Sequence, residues 1–178
     1  MIRLLVTPLV LGVTMMLVSP AAGQDVSLPS LKAAFLVNFA KFADFPQDVL
    51  PAGGVFMFCV TGDRAVADAL EDGLKARPRQ DPASVTFVPS DRPTGACHIL
   101  YLGGLNLRDA RRTIDAIKGA PVFTVSDLAG FAEAGGVAEL RLEKGHMRFA
   151  INPAAAQRAH LALSAKLLSL AIIVKDSQ

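Results

Sequence analysis

The sequence predicts an α/β domain: a mainly parallel sheet of about six strands with helices on both faces, followed by a C-terminal hairpin and a long helix. Three observations carry this. Short apolar runs rich in branched and aromatic residues alternate with amphipathic segments between residues 55 and 125, and parallel neighbours need such crossover connections. The last third changes character, with two alternating runs around a tight turn. Finally, 178 residues, 52% of them hydrophobic and with a formal charge of +2, suit one globular core.

The chain begins with an address. Arg3 precedes an apolar run from Leu4 to Val18, and Ser19-Pro20-Ala21-Ala22-Gly23 ends it with small residues. This pattern predicts a signal peptide over 1–23, cut before Gln24, leaving one domain over 24–178 in the periplasm. As a permanent anchor the run is too short: fifteen residues rise about 22 Å, against a hydrocarbon core of about 30 Å. No Cys follows the run, which argues against a lipid anchor.

From Pro29 to Asp44, Leu31, Ala34, Phe35, Phe39 and Phe42 recur at helical spacing, and Phe45-Pro46 ends the helix. Val55–Val60 is a continuous apolar run, predicting a strand covered on both faces. Thr61-Gly62-Asp63 opens a helix carrying Ala65, Val66, Ala69, Leu70 and Leu74, closed by residues 77–80. Strands follow at Val85–Val88 and Cys97–Leu102, a helix near Leu107–Ile117, and a strand at Pro121–Val125. Gly135-Gly136 then precedes a hairpin of Val137–Leu142 and His146–Ile151 around Glu143-Lys144-Gly145. Asn152-Pro153 starts the last helix, Asn as N-cap and Pro in the first turn. Ala156, Ala159, Leu163, Leu167, Leu170 and Val174 mark its apolar face, and Lys166 in mid-run argues against a membrane span.

Charge and motifs exclude more than they select. With 18 Lys+Arg against 16 Asp+Glu, no Trp and one Tyr, neither a basic stripe nor a stacking platform is available for nucleic acid. The signatures of P-loops, dinucleotide folds, zinc proteases and serine hydrolases are missing, so no catalytic residue, cofactor or metal is expected. Cys59 and Cys97 are the only cysteines. Export favours a disulfide between them over two buried thiols. The lack of C-x-x-C disfavours thiol exchange chemistry. His98 beside Cys97 would point to the opposite face of a strand, while His146 and His160 lack ligand spacing. Gly103-Gly104 and Gly135-Gly136 fit ordinary turns or anion cradles. Arg148 and Lys166 fit structural ion pairs or ligand contacts.

The run Leu31-Lys32-Ala33-Ala34-Phe35-Leu36-Val37-Asn38-Phe39-Ala40-Lys41-Phe42, ending in Phe45-Pro46, resembles the opening of the YfiR-like family of periplasmic proteins. Cys97–Leu102, Pro121–Asp127 with Gly135-Gly136, and Met147–Asn152 leading into Leu163–Ala171 continue the likeness in matching order over about residues 28–174. The resemblance implies a repressor that binds the periplasmic sensor domain of a membrane diguanylate cyclase, restraining cyclic di-GMP and biofilm formation. It also implies an enzymatically inert, homodimeric protein in which redox or envelope stress tunes repression through cysteines fitting Cys59 and Cys97. A second cysteine pair of some relatives is absent here, so a two-bridge switch does not carry over. Phe45 stands where the family often has Trp. Phe45, Gly135, Gly136, Arg148, Asn152 and Lys166 are therefore the candidate partner- or ligand-binding residues. A small-ligand sensory module, with the glycine pairs and Arg148 lining a pocket, is the alternative.

Overall fold

The computed structural model describes residues 26–76, 82–89 and 96–177. The elements are α1 (Leu28–Phe42), β1 (Ala43–Asp44), β2 (Phe56–Thr61), α2 (Arg64–Lys75), β3 (Ala83–Phe87), β4 (Ile99–Leu102), α3 (Leu107–Ala116), β5 (Phe123–Ser126), β6 (Ala138–Glu143), β7 (His146–Ile151), α4 (Pro153–Arg158), β8 (Ala162–Leu163), α5 (Ala165–Leu170) and β9 (Ile172–Ile173). The proposed signal peptide and the predicted helix stop at 77–80 lie outside the described residues.

Seven strands form one mixed sheet in the order β3-β2-β4-β5-β6-β7-β9. Neighbours run parallel from β3 to β6, β7 returns antiparallel to β6, and β9 runs parallel to β7. Side chains alternate across the central strands. Phe58, Val60, Ile99, Tyr101, Phe123 and Val125 join Leu36, Phe39, Val66 and Leu70 of α1 and α2 on one face. Cys59, Leu100 and Leu102 join Ala110 and Ile117 beneath α3 on the other. The strand order reverses between β2 and β4, the switch point of an open α/β sheet.

Helix α1 is set by sequence at its start and by tertiary pairing at its end. The Ser27 side chain accepts the Ser30 N–H, and Pro29 occupies the first turn. The helix stops at Phe42, before the Phe45-Pro46 boundary, because Ala43 and Asp44 pair with Leu163 and Ala162 and the Phe42 carbonyl accepts the Ser164 N–H. The β6–β7 turn follows its sequence: Lys144 and Gly145 both have positive φ, as a two-residue hairpin of this type requires.

The long C-terminal helix expected from periodicity is not formed. Asn152 caps α4 as predicted, its side chain accepting the Ala155 N–H. The helix then ends after one and a half turns in a Schellman motif. His160 takes φ +54° and donates to Gln157, while Leu161 donates to the Ala156 carbonyl and buries its side chain. Glycine normally fills that left-handed position, and its absence hid the stop. Ala162–Leu163 is drawn into pairing with β1, Ser164 caps a new helix, and Ile172–Ile173 extends the sheet along β7. Backbone pairing thus outweighs local helical preference.

Candidate functional site

Exposed apolar side chains lie on the last two elements: Leu170 on α5 and Ile172 and Ile173 on β9 are 65%, 39% and 52% exposed. β9 is the edge of the sheet and pairs only with Ala150 and Ile151 of β7. β9 is only two residues long, so what it offers a partner is its exposed apolar side chains more than a strand edge.

The expected disulfide is present, joining Cys59 of β2 to Cys97 just before β4 with Cα atoms 5.8 Å apart. Both half-cystines are buried under α3. His98 turns the other way, beneath Phe45 and Phe56. Its Nδ1 accepts the Met57 N–H at 2.8 Å, so Nε2 carries the proton and faces the Val49 carbonyl at 3.3 Å. The imidazole is a core hydrogen-bonding group.

The six residues singled out by sequence are not brought together as one site. Phe45 is half-buried, edge-on to Phe56, and lines a shallow cavity of about 310 Å³ with Leu50 and Gly54. Gly136 is packed so tightly that a Cβ would stand 2.1 Å from the Phe131 ring. Gly135, at φ +104°, borders a cleft of about 400 Å³ walled by Arg111, Lys118, Thr124, Glu133 and Arg158. Arg148 is exposed on β7, in register with Arg141 and away from that cleft. Asn152 is fully buried as a tie: its amide donates to the Ala132 carbonyl and to Asp176. Lys166 is exposed, its ammonium 5.6 Å from the centre of the Phe42 ring.

Ion pairs around the cleft hold the end of the chain. Arg158 donates two hydrogen bonds to Asp176, at 2.7 and 3.0 Å. These, with the Asn152 amide and against partial burial, hold the Asp176 carboxyl below the usual range. Arg141 bridges Glu139 and Glu133 at 2.7 and 2.8 Å. Burial alone would raise Glu133, but a backbone hydrogen bond and Arg141 prevail and lower it, while the Glu139 hydrogen bond raises Arg141.

Sequence reasoning missed a polar cluster at the switch point. Lys32 of α1 is 7% exposed, with Nζ 2.7 Å from Asp127 and 3.4 Å from Asp63. Asp63 follows β2 and caps α2, its other oxygen accepting the Val66 N–H at 3.2 Å. Asp127 follows β5. Burial alone would raise the Asp127 pKa, yet the Lys32 hydrogen bond and charge outweigh it and hold the carboxyl low. The Tyr101 hydroxyl lies beside Asp127, and burial followed by that negative charge pushes it far up, so it stays protonated. The available signal was positional: each acid lies two or three residues beyond the end of a predicted strand, where open α/β sheets place their functional groups. Which helix covers them is decided only by the fold.

A family model described as YfiR/HmsC-like matches residues 29–172. Among curated proteins, none matches the chain by sequence.

Proposed function

Because the chain belongs to the YfiR/HmsC-like family, whose members are regulatory proteins, and membership implies a regulator of diguanylate cyclase, we propose that it represses a membrane-bound cyclase by binding the cyclase's periplasmic sensor domain. In this reading residues 1–23 direct export and are removed, and the 24–178 domain acts in the periplasm, as a homodimer and without a cofactor. In this reading nucleic acid is not a partner and the mature chain makes no stable membrane insertion. No helix among the described residues is long and apolar enough to cross a membrane.

The observation that carries the reading is the exposed edge of Leu170, Ile172 and Ile173. A protein that works by contact needs such a surface, and no bond-making is required of it. A repressor shifts its receptor's conformational equilibrium only by its differential affinity for the inactive and active states. The disulfide and the two-faced core supply a rigid body for that purpose.

Capture from an envelope extract tests this. The wild-type protein is expected to retain a membrane protein carrying a cytoplasmic GGDEF-type domain, and Ile173→Lys to lose it while melting normally. A deletion strain is expected to raise its cyclic di-GMP. Recovery of no such protein, together with a flat second-messenger level, overturns the reading.

The cleft beside Gly135 favours a second reading, a periplasmic small-ligand sensory module, since its volume of about 400 Å³ suits a small molecule. A metabolite that raises the melting temperature of the wild type and not of Arg158→Ala would favour it.

A further inference from the structure

Beyond residue 23 the sequence holds four sulfur atoms, in Met57, Cys59, Cys97 and Met147. The two cysteines are joined, and Met147 packs half-buried against the main core. Met57 is placed differently. It lies on β2 two residues before Cys59 and on the same face, half-buried against the apolar cluster that surrounds the disulfide. Parallel pairing sets Ser84 of β3 opposite Met57, and Thr86 opposite Cys59. Both hydroxyls turn to the thioether: Ser84 Oγ donates to Met57 Sδ at 3.1 Å, and Thr86 Oγ1 donates to it at 3.6 Å.

Two donors on one thioether are more than packing requires. Sulfur in this form is a weak acceptor, and β3 is an edge strand with Thr86 exposed, where water is the stronger partner for a hydroxyl. What two donors suit is an oxygen carried by that sulfur. In a closed apolar core a methionine sulfoxide disrupts packing, because a polar group replaces an apolar one. Here the donors it needs already face the atom on which it forms. The backbone of Met57 is held on both sides, its N–H donating to His98 Nδ1 at 2.8 Å and its carbonyl accepting the His98 N–H at 2.9 Å, so the side chain hangs from a fixed point.

We propose that Met57 is an oxidation site, converted to its sulfoxide by a peroxide, and that Ser84 and Thr86 receive the product within the native fold. A sulfur lone pair attacks one oxygen of hydrogen peroxide, and the S–O bond forms as the O–O bond breaks. The departing hydroxide takes the proton of the transferred oxygen and leaves as water. Sulfur gives up two electrons and the peroxide is reduced. A closed disulfide offers such an oxidant no thiolate, so Met57 is the sulfur on this face of β2 that responds while the bridge is intact. Thr86, the more distant donor and the exposed one, leaves room on its side for the incoming oxygen. Its hydroxyl then donates to the sulfoxide at the ordinary O–H···O separation of about 2.7–2.8 Å. The oxidised side chain thereby ties the edge strand β3 to β2 through a strong acceptor in place of a weak one. Nothing in this depends on which partner the protein binds, so the two readings fail separately.

The test is a hydrogen peroxide titration of the purified full chain carrying Met147→Leu, and of the same chain carrying Ser84→Ala and Thr86→Val as well. Peptide mass mapping locates the added oxygen, and thermal unfolding and hydrogen–deuterium exchange report its effect. In Met147→Leu the folded protein is expected to gain one oxygen at Met57, with the midpoint moving by less than about 1 °C and exchange over 83–87 becoming slower. The variant without the two hydroxyls, once oxidised, is expected to melt about 4 °C or more below its own reduced form, because its sulfoxide oxygen is left without a donor. Oxidation of Met57 only after unfolding removes the site. Equal losses of midpoint in the two proteins, or faster exchange over 83–87 in oxidised Met147→Leu, remove the receiving role of the hydroxyls. Should the triple variant fail to fold, Thr86→Val in the Met147→Leu background is read the same way: a fall in midpoint on oxidation supports the proposal, and an unmoved one overturns it.

Discussion

Removing the Cys59–Cys97 bond is the perturbation whose size follows most directly from the fold. Its ends are 38 positions apart, and the loop they close contains α2 and β3, the strand at the other edge of the sheet. Without the bond the unfolded chain regains the loop-closure entropy, which for this length amounts to about 4 kcal/mol at 25 °C. That is a large part of the roughly 5–15 kcal/mol that keeps a domain folded. A domain of this size shifts by about 2–4 °C for each kcal/mol, so the midpoint is expected to fall by about 8–16 °C. The measurement is urea and thermal unfolding of the oxidised protein, the reduced protein and the Cys59→Ala/Cys97→Ala double variant. The last two are expected to coincide. Cys59→Ser alone is expected to fare worse, since it sets a hydroxyl among Val88, Leu100 and Leu102 and leaves a buried thiol behind. Complete reduction by thiol titration with an unmoved midpoint refutes the reasoning.

Three further outcomes are expected. Phe39→Ala removes a ring stacked on Phe123 at 5.3 Å and edge-on to Phe35 and Phe149, costing about 3–5 kcal/mol in urea unfolding; a loss below about 1 kcal/mol would mean α1 is not seated on the sheet. Gly136→Ala drives its methyl into the Phe131 ring and is expected to cost about 1–3 kcal/mol, with an unchanged midpoint counting against the tight packing there. Acid is expected to destabilise the protein. Asp127, Glu133 and Asp176 all bind protons less readily folded than unfolded. Their contribution is therefore complete above about pH 5 and lost as the pH falls through the lowered folded-state values, below about pH 4. Unfolding free energy measured from pH 6 to 2.5 should show this limb, part of it absent in Asp127→Asn; a flat profile contradicts the ion-pair account.

The sequence by itself determined the alternation of strands and helices, the two-faced core, the hairpin turn at Lys144-Gly145, the Asn152 cap and the pairing of the two cysteines. These rest on local causes: hydrophobic period, capping chemistry, turn residues with positive φ, and a count of two thiols. Tertiary structure alone decided three other things. It cut the C-terminal helix into α4, β8, α5 and β9, because main-chain groups near Leu163 and Ile172 found partners in β1 and β7 stronger than a helical turn. It scattered the candidate residues, burying Asn152 as a tie and Gly136 against Phe131 while leaving Arg148 in solvent. It also brought Lys32, Asp63 and Asp127 together from positions far apart in the chain. A lysine within an apolar helix reads as a solvated charge until the strand order is known, because a side chain's partners are set by which strand ends its helix crosses, and that is a property of topology.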